Sequence, residues 1–166
     1  NITPNNVEAH YNLGLALHEL GQLEEAVIHY LKAIEIKPDF INAHNNLGNA
    51  LHELKRLDQA ISHYHNAIDI GPNNAEVHNN LGFTLQLMGK LDEAVASYRK
   101  AIAVNPDYAE AYNNLGLALQ GLGKLDETLT CYRKAIAINP DYSDAHCNLG
   151  SALRASGRLD EAINCF

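Results

Sequence analysis

Apolar residues recur along the chain in alternating stripes that have the spacing of α-helices. In residues 75–108, Leu81 and Leu85 belong to one stripe, and Leu91 and Tyr98 belong to the next. Residues three or four apart lie on one side of a helix, so each stripe predicts an amphipathic helix. A short turn that contains glycine separates the two stripes. The pattern therefore predicts a helical hairpin.

The same hairpin pattern returns every 34 residues. A period of this length is typical of solenoid proteins, because one hairpin cannot bury its own apolar faces and must stack on its neighbours. The sequence therefore predicts an all-α protein, one continuous solenoid of 34-residue helix–turn–helix units. Residues 1–6 match the end of a preceding unit. The predicted units are 7–40, 41–74, 75–108, 109–142 and a truncated fifth unit at 143–166.

Residues at the unit boundaries favour the starts and ends of helices. Asp107 and Glu110 have the spacing of a capping box at the start of a first helix, and Asp141 and Asp144 repeat it. The turn inside each unit contains glycine, except in the second unit, where Lys55 stands instead. Proline ends each preceding helix, at Pro38, Pro72, Pro106 and Pro140.

Several positions carry nearly the same residue in every unit, and together they resemble the tetratricopeptide-repeat family. Counting from the start of each unit, position 7 is leucine, position 8 glycine, position 24 tyrosine or phenylalanine and position 27 alanine. The resemblance covers nearly the whole chain. It implies a right-handed α–α superhelix whose first helices line an inner, concave groove. It also implies a protein-interaction scaffold without catalysis of its own. Position 4, usually aromatic in the family, is mostly histidine here, at His10, His44, His78 and His146.

Asparagine repeats on the side of the first helix opposite the apolar stripe. Position 6 is always asparagine: Asn12, Asn46, Asn80, Asn114 and Asn148. Position 5 adds Asn45, Asn79 and Asn113, which we expect on the groove surface. Because an asparagine amide both donates and accepts hydrogen bonds, such a row can satisfy the backbone of an extended peptide. Alternatively, each position-6 amide bonds within its own helix or to a neighbouring repeat and so fixes the stack.

Two further positions on the same side of the first helix vary from unit to unit. If the asparagines bind a peptide backbone, these variable residues supply selectivity for its side chains. His18 and His52 lie one repeat apart and have the chemistry to meet a ligand's carboxylate. The candidates are Asn49 and Phe83 at position 9, and His18, His52, Gln86 and Gln120 at position 12.

Composition and charge narrow the classes of partner. The chain has 166 residues and a formal net charge of −8, which argues against nucleic acid and permits a basic or neutral peptide. Neither a membrane span nor a signal peptide is evident in the sequence. The odd number of cysteines, three, is not a disulfide framework and predicts reduced thiols in the cytoplasm.

Candidate catalytic and metal-binding residues are weak. The nine histidines include no pair four residues apart within a helix, which is the spacing of helical metal sites. Cys147 follows His146 directly, and adjacent residues of a helix point apart, which disfavours a nucleophile–base pair. We therefore expect no catalytic residue, no metal and no cofactor in this segment.

Two alternatives to a free-standing scaffold stay open. The repeats resemble those of O-GlcNAc transferases, in which such repeats hold the protein substrate for a separate catalytic domain, so the segment could be the substrate-recruiting arm of a larger glycosyltransferase. The second alternative is self-assembly end to end, because the truncated fifth unit is uncapped. There, Ala155, Leu159, Ile163 and Phe166 are expected to leave apolar surface open.

Overall fold

The computed structural model describes residues 6–163, and this part of the chain is built from α-helices without a strand. Each predicted repeat contains two helices in sequence, a first and a second. They are α1 (Val7–Glu19), α2 (Leu23–Ile36), α3 (Ile41–Glu53), α4 (Leu57–Ile70), α5 (Ala75–Leu87), α6 (Leu91–Val104), α7 (Ala109–Gly121), α8 (Leu125–Ile138), α9 (Ser143–Ala155) and α10 (Leu159–Ile163).

The turns between paired helices share one backbone conformation. The second residue after the first helix has a positive φ, for example 72° at Gly21 and 73° at Gly123. Lys55 adopts the same left-handed conformation at φ 62°, although it has a side chain. The turn closes on the preceding helix, since the Gln22 amide donates to the Leu17 carbonyl at 2.8 Å. Lys55, the unusual turn residue of the second repeat, therefore keeps the turn and adds backbone strain.

The chain divides into two compact units, residues 1–84 and 85–166. In unit 1, α1 packs on α2, α2 on α3 and α3 on α4. In unit 2, α6 packs on α7, α7 on α8, α8 on α9 and α9 on α10. The predicted stacking of hairpins is therefore present inside each unit, and one continuous solenoid stays a prediction.

A tyrosine of the second helix lies against a glycine of the first in the hairpins α1–α2, α3–α4 and α7–α8. Tyr64 is 1% exposed, and a Cβ atom added to Gly48 would lie 2.5 Å from its ring. Tyr132 and Gly116 repeat this contact in unit 2, again at 2.5 Å. The glycine lets the tyrosine ring lie directly on the backbone of the first helix, which explains why these two residues recur together.

The predicted capping boxes are wrong by one residue. Helix α7 begins after Tyr108, which makes no side-chain capping bond, and the Asp107 amide donates to Asn105 Oδ1 at 3.1 Å. The same arrangement precedes α9, where the Asp141 amide donates to Asn139 Oδ1 at 3.2 Å. Asparagine side chains of these turns thus accept hydrogen bonds from the backbone amides of Asp107 and Asp141, the residues that were expected to cap the helices.

Residues 6–163 contain no helix that is both long enough and apolar enough to cross a membrane. At the end of the described chain, Leu159 is 58% exposed, whereas Ala162 is buried with Leu149 and Leu153. Phe166, which was expected to add to an open apolar surface, lies outside the described residues.

Candidate functional site

The position-6 asparagines join consecutive first helices. The Asn46 amide donates to the Tyr11 hydroxyl at 2.9 Å, and the Asn148 amide donates to Asn113 Oδ1 at 2.9 Å. Each acceptor belongs to the preceding repeat. Asn114 is half-buried, and Asn12 is exposed. The interpretation that these amides fix the stack therefore has direct support for Asn46 and Asn148.

Asn80 makes two hydrogen bonds of this kind. Its side-chain nitrogen donates to Asn45 Oδ1 at 3.2 Å and to Asn49 Oδ1 at 3.1 Å. An asparagine amide has two hydrogens, so both are committed to the preceding repeat. The side chain of Asn80 can therefore accept a hydrogen bond from a ligand at Oδ1, but it has no amide hydrogen left to donate.

The prediction that the position-5 asparagines form groove surface is wrong. Asn45, Asn79 and Asn113 are only 5%, 2% and 4% exposed. Asn45 also donates to Glu76 Oε1 at 2.9 Å, in the next repeat. Because consecutive first helices approach each other directly, position 5 lies in their interface instead of facing solvent. The side chains of Asn45 and Asn113 therefore join consecutive repeats.

The residues expected to supply selectivity also satisfy the buried tyrosine hydroxyls. The Tyr64 hydroxyl donates to Asn49 Oδ1 at 2.8 Å. In unit 2, Tyr98 donates to Gln86 Oε1 and Tyr132 to Gln120 Oε1, both at 2.9 Å. Burial raises the pKa of Tyr132 to about 12, so this hydroxyl stays a donor at neutral pH. Sequence analysis missed this role. In unit 2 the repeated tyrosine and the glutamine 12 residues before it were both visible in the sequence.

In unit 1, five of the predicted site residues line one pocket of about 340 Å³. Sequence analysis missed two of its residues, Glu53 and Tyr64. Glu53 directly follows His52, on the polar side of α3, and that position was its only signal. The unit-1 pocket is lined by His18, Asn49, His52, Glu53, Tyr64, Asn80 and Phe83.

A histidine and a carboxylate form a hydrogen-bonded pair at one side of the unit-1 pocket. His18 Nε2 lies 2.8 Å from Glu53 Oε1, and His18 Nδ1 lies 3.5 Å from the Tyr30 hydroxyl. Because a carboxylate oxygen only accepts hydrogen bonds, the imidazole donates to Glu53 from Nε2. His18 therefore meets a carboxylate of its own chain, where the sequence had suggested a ligand's.

His52 and Phe83 form the opposite side of the pocket. Their rings stack with centroids 5.2 Å apart, and Phe83 is 49% exposed. His52 Nδ1 lies 2.8 Å from Thr84 Oγ1. Thr84 donates its only hydroxyl hydrogen to the backbone carbonyl of Asn80. His52 must therefore donate from Nδ1. Burial, followed by the charge of Lys55, lowers the pKa of His52, so the ring is neutral at pH 7 and Nε2 is an acceptor.

The histidines at position 4 are packing residues. In α3, His44 Nε2 lies 3.0 Å from the Pro38 carbonyl, and His44 Nδ1 lies 3.2 Å from His63 Nδ1. His10 and His29 repeat the pair at 3.0 Å. Within residues 6–163, no group of three or more histidine, cysteine, aspartate or glutamate side chains has the arrangement of a metal site. The described residues therefore contain histidine pairs that bond to each other across a hairpin.

Two open grooves lie away from the first-helix face, one in each unit, with volumes of about 310 and 360 Å³. In unit 1 the groove contains the apolar residues Val27 and Leu31 of α2. In unit 2 the corresponding groove contains Arg99 and Glu127, whose side chains pair at 2.8 Å. The groove in unit 1 is an alternative place for a partner to bind, distinct from the unit-1 pocket.

Sequence-family models match the chain almost from end to end. A model described as TPR repeat matches residues 15–55, 48–89 and 87–123. Two models described as tetratricopeptide repeat match residues 109–142, and residues 1–28 and 131–164, respectively. A search of curated protein sequences finds no match.

Several solved structures have the same fold. The crystal structure of MamA is 27% identical over 92% of this chain and 90% of that chain, with a TM-score of 0.85. The Pseudomonas aeruginosa pilF structure is 24% identical over 96% and 72% of the two chains, with a TM-score of 0.88. YrrB, described as a TPR protein with an unusual peptide-binding site, is 23% identical over 97% and 83%, with a TM-score of 0.78. The predicted family and the predicted all-α repeat fold are therefore confirmed.

Proposed function

This chain belongs to the tetratricopeptide-repeat family, whose fold is typical of protein-interaction scaffolds, and from that premise we propose that it binds an extended segment of a partner protein without catalysing a reaction. The proposed binding surface is the polar face of the first helices. The unit-1 pocket is its main contact point. Partners are proteins or peptides, and the net charge of −8 disfavours nucleic acid.

The observation that carries this proposal is the unit-1 pocket itself. It combines an aromatic ring that is 49% exposed, at Phe83, with polar groups held in place by bonds to neighbouring repeats. Aromatic residues in concave sites commonly anchor a partner, and fixed polar groups supply orientation. Because Asn49 and Asn80 are bonded to each other and Tyr64 is bonded to Asn49, the pocket is preorganised.

The asparagine ladder enters this proposal in a narrower form than the sequence suggested. Asn46 and Asn148 each commit one of their two amide hydrogens to the preceding repeat. The second hydrogen and the carbonyl oxygen of each are the groups we assign to a peptide backbone. Asn12 is exposed and keeps the same capacity. The buried position-5 asparagines are left out of the contact surface.

The description of YrrB supports the proposal at the level of the fold. A chain of stacked tetratricopeptide hairpins can carry a peptide-binding site, and YrrB shares that fold with this protein. The residues that bind a peptide in this chain are argued from its own pocket. A role as the recruiting arm of a glycosyltransferase and self-assembly through residues 143–166 stay predictions.

The test starts from a random peptide library displayed on phage and selected against the purified protein. The affinity of the selected peptides is then measured by fluorescence anisotropy for the parent protein and for Phe83→Ala. Ile28→Ala is the matched control, because Ile28 is 52% exposed but lies on α2. We expect Phe83→Ala to weaken binding at least about tenfold and Ile28→Ala to leave it unchanged, with thermal melts preserved in both. Equal affinities for the two variants would refute the proposed surface.

A further inference from the structure

We propose that the unit-1 pocket recognises a basic side chain of the bound segment, with arginine preferred. This inference rests on the proposed function and adds the chemical class of the anchoring residue. The pocket has few uncommitted hydrogen-bond donors and several uncommitted acceptors.

Most donors of the pocket are already used inside the protein. Both amide hydrogens of Asn80 bond to the preceding repeat. The Tyr64 hydroxyl donates to Asn49, and His52 Nδ1 donates to Thr84. His18 donates from Nε2 to Glu53. Among the lining residues, the amide nitrogen of Asn49 is the donor that these bonds leave uncommitted.

Acceptors, in contrast, remain in excess. Glu53 uses one carboxylate oxygen for His18 and keeps the other, and its side chain is 52% exposed. His52 Nε2 keeps its lone pair because the ring is neutral and protonated at Nδ1. Asn80 Oδ1 is also available, since the bonds of this residue run through its nitrogen. The pocket thus presents a carboxylate, an imidazole nitrogen and an amide oxygen.

Charge points in the same direction as hydrogen bonding. Glu53 is the carboxylate among the lining residues, and the lining includes no lysine or arginine. Lys55 is the nearby cation that acts on His52, and it is not among the lining residues. The net charge of the whole chain, −8, also attracts a cationic segment.

Arginine fits this set of groups better than other side chains. Its guanidinium has five N–H donors and no acceptor, which matches a pocket rich in acceptors. The planar group can pair with Glu53 and stack on the exposed ring of Phe83, and such cation–π contacts add to the attraction. Lysine offers the charge without the planar fork, so it should bind more weakly. An acidic side chain would meet the lone pairs of Glu53 and His52 and be repelled.

The test uses peptides selected from the random library described above, with anisotropy as the readout. Each arginine of the best binder is replaced by citrulline, which has nearly the same shape but is neutral. We expect one arginine whose replacement weakens binding about tenfold or more, and a smaller loss with lysine at that position. Glu53→Gln should weaken the arginine peptide similarly but leave the citrulline peptide unaffected, and its melt serves as the folding control.

The possible results separate the two proposals. Peptides without arginine or lysine that bind and lose affinity with Phe83→Ala would overturn the basic-anchor inference while the proposed surface stands. Equal effects of Glu53→Gln on the arginine and citrulline peptides would also overturn the inference. Peptides that bind equally well to Phe83→Ala, or a library that yields no binder, would refute the proposed function itself.

Discussion

The side-chain amide of Asn80 donates to Asn45 Oδ1 at 3.2 Å, across an interval of 35 residues in the sequence. One residue belongs to position 6 of its repeat and the other to position 5 of the repeat before it. The bond therefore ties α5 to α3, and Asn148 makes the corresponding bond to Asn113 in unit 2 at 2.9 Å. The recurring asparagine pair is first of all a device that sets the spacing of consecutive first helices.

Removal of such an amide should destabilise the protein. Asn148→Ala leaves the buried carbonyl of Asn113 without its donor, and we expect a loss of about 1–3 kcal/mol in the free energy of unfolding. Asn12→Ala is the matched control, since Asn12 has the same repeat position but is exposed and should change stability little. Urea titrations of both variants would measure the difference. Equal stabilities would refute the stacking role.

The contact between Gly48 and Tyr64 predicts an overpacking effect. Gly48→Ala would place a methyl group 2.5 Å from the tyrosine ring, so we expect a loss of about 1–3 kcal/mol. Gly121→Ala is a useful control, because its added methyl group would meet only the flexible end of Leu91, at 2.9 Å. There the higher helix propensity of alanine should leave stability unchanged or raised by up to about 1 kcal/mol. Thermal melts that ranked the two variants in the opposite order would contradict this account.

The turn at Lys55 offers a stabilising substitution. Because Lys55 has φ 62°, Lys55→Gly should relieve strain and stabilise the protein by about 1 kcal/mol. The reverse change is Gly123→Ala, at φ 73°, where the added methyl group would contact nothing within 4 Å. That variant isolates the backbone effect and should lose about 1 kcal/mol. Denaturation midpoints that did not move in opposite directions would show that the turn carries no such strain.

Acidification should destabilise unit 1. Burial lowers the pKa of His29, His52 and His63, so below about pH 6.5 the unfolded chain binds more protons than the folded one at these sites. The contribution of these rings is therefore full above that pH and declines as the pH falls below it. We expect the free energy of unfolding, measured in urea, to be lower at pH 5.5 than at pH 7.5.

Two variants check the origin of this pH dependence. His63→Gln removes one half-buried ring and should reduce the difference in the free energy of unfolding between the two pH values. His65→Gln alters an exposed histidine of the same helix and should leave the difference as it is. Identical pH profiles for the two variants would contradict the assignment to the half-buried rings.

The cysteines should differ in reactivity. Cys131 is 8% exposed, and burial, reinforced by the charge of Glu127, raises its pKa to about 11, whereas Cys147 is exposed. In a Cys165→Ser background, iodoacetamide at pH 8 should therefore alkylate Cys147 about tenfold faster or more, as followed by peptide mass spectrometry. In urea the two rates should converge. Equal rates in the folded protein would contradict the burial of Cys131.

The fold was largely predictable because each repeat carries its own helical signals. The recurrence of Gly48 and Tyr64 with their counterparts specifies a close contact within a hairpin, and the short interval between the two residues makes it readable from the sequence. Lys55 was recognised as an unusual turn residue for the same reason. Interactions local to one hairpin are therefore the part of the structure that periodicity reveals.

Features that depend on neighbouring repeats were harder to predict. Asn45 lies on the polar side of α3, yet it is buried, and its side chain bonds to Glu76 and Asn80 of the next first helix. The pocket residue Glu53 was missed because its proximity to His18 arises only after the hairpins stack. The Asp107 amide was expected within a capping box, but it donates to the side chain of the asparagine two residues earlier. Periodicity gives only the angular position of a residue on its own helix, and that position does not reveal which residues of neighbouring repeats it contacts.

The central claim, that a partner segment binds on the first-helix face of unit 1, is tested most directly by NMR titration. A library-selected peptide would be added to ¹⁵N-labelled protein, and the shifts of assigned backbone amides would be mapped. The account predicts the largest changes around His52, Glu53 and Phe83, with small changes around Val27 and Leu31 in the groove on α2. Changes concentrated on that groove, with α3 and α5 undisturbed, would contradict it.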